Sequence, residues 1–124
     1  MTEATNPSQL RVGKDKDRLS IAFGPDKTYE FTAEFLRVQS PSAEVRGHSE
    51  AERKTVGGKR NVRIVSVTPV GNYAVRIEFD DGHSSGIFSW DFFHDNGRNK
   101  DAIWAAYLAE LAAKGMDRDT PQMR

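Results

Sequence analysis

A chain of 124 residues fits one domain, long enough to bury roughly two thirds of its unfolded surface around a single core. Its 18 basic and 18 acidic side chains cancel, so no global field draws in nucleic acid or an anionic membrane, and either partner would need a local patch. The lack of cysteine excludes disulfides, thiolate nucleophiles, iron–sulfur ligation by this chain and any zinc site built on sulfur.

Residues 1–8 are polar, carry Pro7 and read as an N-terminal tail that frays before the fold begins. Leu10 and Val12, then Leu19, Ile21 and Phe23, alternate with polar neighbours, and the charged Gly13-Lys14-Asp15-Lys16-Asp17 stretch joins them as a hairpin. Tyr29 and Phe31 predict a short third strand. Thr32 follows as the cap of a helix through Ala33, Phe35, Leu36 and Val38, which Pro41 limits because it has no amide donor and disfavours helix in the residue before it. Residues 40–58 then form a long, charged, glycine-containing loop, a length at which loops are usually functional or flexible.

Val62, Ile64, Val65, Val67 and Val70, then Tyr73, Val75, Ile77 and Phe79, predict two strands meeting at Gly71-Asn72. Asp81-Gly82 offers a second turn into a strand from His83 to Phe88. Ser89 caps a helix starting at Trp90 and stopping near Asn96-Gly97. Ile103, Trp104, Tyr107, Leu108 and Leu111 fall at helical spacing, with Gly115 as the stop. The expected fold is α+β: an antiparallel sheet of about five or six short strands, one inserted helix, and two C-terminal helices packed on the sheet. One domain covers residues 9–115, and residues 116–124 form a polar C-terminal tail.

Chemistry is sparse. His48-Ser49-Glu50 has the local spacing of a facial iron site, with His83 or His94 as a third ligand, but three histidines in a chain make chance matches easy. Ser40 and Ser42 lack a strand-to-helix elbow and a base, and read as turn or capping residues rather than nucleophiles. Asp80, Asp81 and Asp91 stand where a turn and a first helical turn place aspartates. Arg37, Arg46, Arg53, Lys54, Lys59, Arg60 and Arg63 gather around the long loop, diluted by Glu44, Glu50 and Glu52 and without stacking aromatics from 40 to 63, so a single-strand nucleic-acid platform is not expected. Arg46-Gly47-His48 is the better recognition candidate, a guanidinium and an imidazole beside a glycine. Trp90, Phe92, Phe93, Trp104 and Tyr107 read as core, and exposure of Trp90 or Phe93 beside Arg46 would instead mark a groove.

Two segments some forty residues apart carry a resemblance: Leu36-Arg37 with the run from Ser40-Pro41-Ser42 to Val45-Arg46-Gly47-His48, and Asp80-Asp81-Gly82-His83 with Gly86-Ile87-Phe88-Ser89-Trp90. Together with Trp104 and Tyr107-Leu108, they resemble the gamma-butyrobetaine hydroxylase-like N-terminal domain over roughly residues 9–111, in its short stand-alone bacterial form. The resemblance implies a structural zinc held by cysteines and one histidine in the oxygenases. Here Ser40, Ser42 and Val45 stand at the lost cysteine positions and His83 at the histidine. It places oxygenase chemistry in a separate domain, and related domains fused to P-loop carriers of iron–sulfur assembly point to an accessory role.

The expectation is therefore a cytoplasmic, non-catalytic interaction module with a protein partner, without membrane or nucleic-acid binding. Its partner-contact candidates are Arg37, Ser40, Ser42, Arg46, His48 and His83. No cofactor is expected. The alternative is a protein binding iron or another divalent ion through His48, Glu50 and His83, and catalysis by the isolated domain ranks last.

Overall fold

The computed structural model of the chain describes residues 6–25, 27–41, 55–84 and 86–120. Its six strands divide into two antiparallel three-stranded meanders rather than one continuous sheet: β1 (Gln9–Val12), β2 (Arg18–Ala22) and β3 (Thr28–Thr32), then β4 (Ile64–Val70), β5 (Ala74–Phe79) and β6 (Ile87–Ser89). The helices among the described residues are α1 (Ala33–Val38), α2 (Trp90–Arg98) and α3 (Lys100–Ala113). The α+β class is the one the alternating strands and capped helices announce.

Alternation explains the pairing. Leu19 sits opposite Phe31 and Ile21 opposite Tyr29, so β2 turns its apolar residues to one face. In the second meander Val67 faces Ile77, and Val75 faces Phe88. A register shift between Ile64 and Ser66 leaves Val65 as the extra residue of a bulge, 51% exposed beside the buried Ile64. The meanders join where the β1–β2 turn meets β4: the Ile64 amide donates to Lys16 O at 2.8 Å, and Arg63 Nη1 to Asp15 O at 2.7 Å.

Both meanders feed one core. Leu19, Ile21 and Phe31 meet Ile64, Val75, Ile77, Phe79 and Phe88, with Phe35 and Leu36 of α1 and Trp90 and Phe93 of α2 in the same cluster. Trp90 is 8% exposed and Phe93 is fully buried, so both aromatics belong to the core, while Arg46, beside which a groove would lie, is outside the described residues. A second cluster forms where Tyr107 and Leu111 of α3 meet Val38 and Val56. There the Tyr107 hydroxyl donates to Val56 O at 2.6 Å, and burial together with the Glu34 charge pushes its pKa up to about 12, which keeps it a donor.

Both predicted caps are present: Thr32 Oγ1 accepts from the Phe35 amide at 3.0 Å, and Ser89 Oγ from the Phe92 amide at 3.1 Å. Two elements depart from expectation. The strand predicted from His83 begins only at Ile87, because residues 80–84 turn inward, with Phe79 N bonded to His83 O at 2.9 Å. The helix predicted to stop near Gly97 runs on to Arg98, and Gly97 is there for a tertiary reason. A Cβ at this position would collide with Cδ1, Cγ and Cε1 of Tyr29. In a free helix Gly→Ala gains about 1 kcal/mol, whereas forcing a ring aside costs about 1–3 kcal/mol. Gly97→Ala should therefore destabilise by urea titration, while the same change in a Tyr29→Ala background should stabilise. Stabilisation by Gly97→Ala alone would refute the contact.

Residues 6–8 and 116–120, which flank the core, are held as well. Asn6 Oδ1 accepts from Trp90 Nε1 at 3.0 Å, and Ser8 N donates to Ala22 O at 2.7 Å. After Gly115, in the left-handed region at φ 68°, residues 116–120 run as a strap against residues 57–60: Gly58 N donates to Asp117 O at 2.9 Å and Arg60 N to Arg118 O at 3.0 Å. Gly57 permits this approach, since a Cβ there would meet Asp117 O at 2.8 Å.

Candidate functional site

The two segments singled out in the sequence meet in space. Pro41 stops α1 just beyond the Gln39 cap, where Gln39 N still donates to Phe35 O at 3.0 Å, and this carries Ser40 into the interior. From the other side, Gly82 at φ 92° turns the chain after β5, and the His83 amide donates to Asp81 Oδ1 at 3.0 Å, an Asx turn that aims the imidazole inward. Ser40 Oγ and His83 Nε2 share a hydrogen bond of 3.1 Å. Ser40 is fully buried, His83 is 7% exposed, and the imidazole lies 6.2 Å from the Phe79 ring. Gly86 closes the third side, where any Cβ would strike Ser40 Oγ and press on Phe88.

A charged rim covers this pair. Asp81 Oδ2 accepts from Arg37 Nε at 2.7 Å and from Lys59 Nζ at 2.6 Å, joining α1, the segment before β4 and the turn after β5. Arg37 Nη1 is buried without a hydrogen-bond partner, so the rim carries a guanidinium only partly satisfied by the carboxylate. Burial alone would raise the Asp81 pKa. The Lys59 ammonium, the His83 amide and the Arg37 guanidinium outweigh it and bring the carboxyl down to about 2 from 3.8.

The sign follows. A carboxylate whose folded pKa lies below its unfolded one adds stability that is full above pH 3.8 and is lost as pH falls through about 2. With the Asp81 side chain 17% exposed on an otherwise exposed turn, the contribution is at most about 2 kcal/mol. Asp81→Asn should thus be less stable than wild type at neutral pH, with the difference closing between pH 4 and pH 2 in denaturant titrations. A constant difference across that range would exclude the ion-pair account.

Of the predicted contact residues, Arg37, Ser40 and His83 come together here. Ser42, Arg46 and His48, the lost-ligand position Val45 and the metal candidate Glu50 lie outside the described residues. So does the approach of His48 to His83. Ser40 and His83 are enclosed, so in this arrangement neither side chain presents a surface to a partner, and the Arg37 side chain, 12% exposed, is turned to Asp81. His94 is apart from the pair, stacked 4.0 Å from the Phe23 ring, and its pKa is lowered by burial and by the Lys27 and Arg98 charges. Among the described residues no three histidine, aspartate or glutamate side chains gather closely enough to hold a metal ion, and no helix is long and apolar enough to cross a membrane.

A family model described as gamma-butyrobetaine hydroxylase-like, N-terminal, matches residues 10–94. Two proteins with NMR solution structures are similar along almost the whole chain. One is 46% identical, with a TM-score of 0.80, covering 95% of this chain and 93% of its own. The other is 38% identical, with a TM-score of 0.79, covering 100% and 95%. A crystal structure of a protein with unknown function from Acidithiobacillus ferrooxidans ATCC 23270, placed in a family of domains of unknown function, is 33% identical with a TM-score of 0.60, covering 75% of this chain and 93% of that one. No curated protein matches the chain significantly.

Proposed function

Because the chain belongs to the gamma-butyrobetaine hydroxylase-like N-terminal domain family, we propose that it is a non-catalytic interaction module that assists metal-dependent or iron–sulfur assembly proteins by binding a protein partner. The observation that carries this reading is the enclosure of the Ser40–His83 pair, 0% and 7% exposed, beneath the Arg37–Asp81–Lys59 rim. A hydroxyl and an imidazole within hydrogen-bond reach suggest a nucleophile and its base. Shut away from solvent they have no substrate to attack, and they serve instead as a polar lock where the resemblance puts a metal in the oxygenases.

Recognition then falls to what surrounds the lock. The segment bearing Ser42, Arg46 and His48 lies between Pro41, next to the buried Ser40, and Thr55, whose hydroxyl accepts from Lys114 Nζ at 2.7 Å. Arginines at such a place suit carboxylates on a partner.

Affinity capture with the wild type and with an Arg46→Ala/His48→Ala variant tests the reading. A metal-handling partner retained by the wild type and lost by the variant supports it; identical partner sets, or none that handles metal, count against it. Elemental analysis of untagged protein decides the alternative: stoichiometric iron or another divalent ion, absent from His83→Gln, would establish metal binding through His48, Glu50 and His83.

A further inference from the structure

Glu34 is the acidic side chain in the buried class among the described residues, 4% exposed in the first turn of α1. A buried carboxylate costs free energy unless it is paired and hydrogen-bonded. Its partner arrives from the strap: Arg118 Nε donates to Oε2 at 2.8 Å and Nη2 to Oε1 at 2.7 Å, while the guanidinium carbon lies 5.2 Å from the centre of the Trp104 ring. Two parallel bonds to a carboxylate plus one flat face on an indole form a recognition set for a planar guanidinium; an ammonium uses neither the fork nor the stacking.

Two further features separate this seat from an ordinary internal ion pair. Met116 packs on the cluster of Val38, Val56, Tyr107 and Leu111, and the strap's other ion pair, Arg60–Asp119, has side chains 45% and 61% exposed, so exposed that it contributes little. The Arg118 guanidinium is therefore the main polar side-chain hold on the strap. The seat also opens into a cavity of about 290 Å³ between β3, α1 and α3, with Arg18 and Lys100 in its wall as well as Glu30 and Asp101. That volume is near the lower end for small-ligand sites, and the two cations in its wall are engaged by Glu30, Arg18 at 3.6 Å from its carboxylate and Lys100 donating to its backbone O at 2.5 Å.

We propose that Glu34 and Trp104 form a guanidinium-binding site that Arg118 occupies in cis and that a guanidino ligand takes over when the strap of residues 116–120 lifts. A ligand with a carboxylate at its other end competes with Glu30 for Arg18 and Lys100 in the cavity wall; an arginine on a peptide uses the seat alone.

The experiment uses full-length Arg118→Ala, following the indole N–H resonance of Trp104 and the thermal midpoint while methylguanidinium is added. Saturable binding in the millimolar range that raises the midpoint is expected. Methylammonium should bind at least about tenfold more weakly because one charge-assisted bond is lost. The response should vanish in Glu34→Gln/Arg118→Ala and be absent from wild type at the same concentrations. A folded Arg118→Ala that shows no saturable response, or a response that survives Glu34→Gln, overturns the proposal. If Arg118→Ala is unfolded, refolding by methylguanidinium and not by methylammonium reads the same site, and refolding by neither overturns it. Tighter binding of guanidinoacetate than of acetyl-arginine-amide assigns the ligand to free guanidino acids; the reverse order assigns it to an arginine on a peptide.

Discussion

Phe88→Ala is expected to lose about 3–5 kcal/mol in equilibrium urea unfolding, the range for truncating a buried phenylalanine. Domains of this kind hold about 5–15 kcal/mol in all, so the change takes a large share of the total. Phe88 is fully buried, 5.1 Å from the Phe92 ring and 6.2 Å from that of Phe93, and it packs against Phe79 at 6.5 Å. It thus joins β5, β6 and α2 and also supports Gly86 beside Ser40. The space it leaves is bounded by paired strands and a capped helix, which cannot collapse into it. Its neighbour Ile87, 39% exposed, is the internal control, and Ile87→Ala should stay within about 1 kcal/mol of wild type. Similar losses at both positions would mean that β6 is not the strand described.

Arg118→Ala ranks second. Removing one partner of a buried pair costs about 3–5 kcal/mol because the other charge is left without compensation. Here the Arg118 side chain is 29% exposed and water can reach part of the site, so a loss of about 2–3 kcal/mol is expected. Replacing both residues, as in Glu34→Met/Arg118→Leu, should return most of that loss, since apolar groups of similar volume often match a buried pair. If the double variant is as unstable as Arg118→Ala, the loss comes from the missing guanidinium itself and not from a carboxylate left without compensation.

How far these features can be read from residues depends on whether their cause is local. Thr32 and Ser89 are legible as caps because a hydroxyl three positions before a free amide needs nothing beyond its own turn. The β2, β3 and β5 alternation is legible for the same reason. Gly97 is not: it reads as a helix stop, and only the Tyr29 ring, brought from β3, shows why a side chain is barred there. Glu34 reads as an ordinary acid in a first helical turn, and nothing in residues 116–120 announces a fork aimed at it. The Ser40–His83 contact sits between these cases. Spacing alone does not join two residues 43 positions apart, and their meeting was suggested by family resemblance before geometry supplied the 3.1 Å bond. The division of the strands into two meanders is likewise illegible, because no strand's own pattern says whether β3 and β4 pair across the long connection between them.

The ion pair at the strap also imposes an order in time. Arg118 follows Glu34 by 84 positions, which at typical synthesis rates is a delay of roughly 4–17 s between the two residues. Each meander is built from neighbours in the chain and can pair as it emerges from the ribosome. Glu34, in contrast, waits beside the first meander without its counter-ion, and α1 can seat its carboxylate in the interior only after the strap has been made. Until residues 116–120 have been made, the Trp104 face has no guanidinium to cover it.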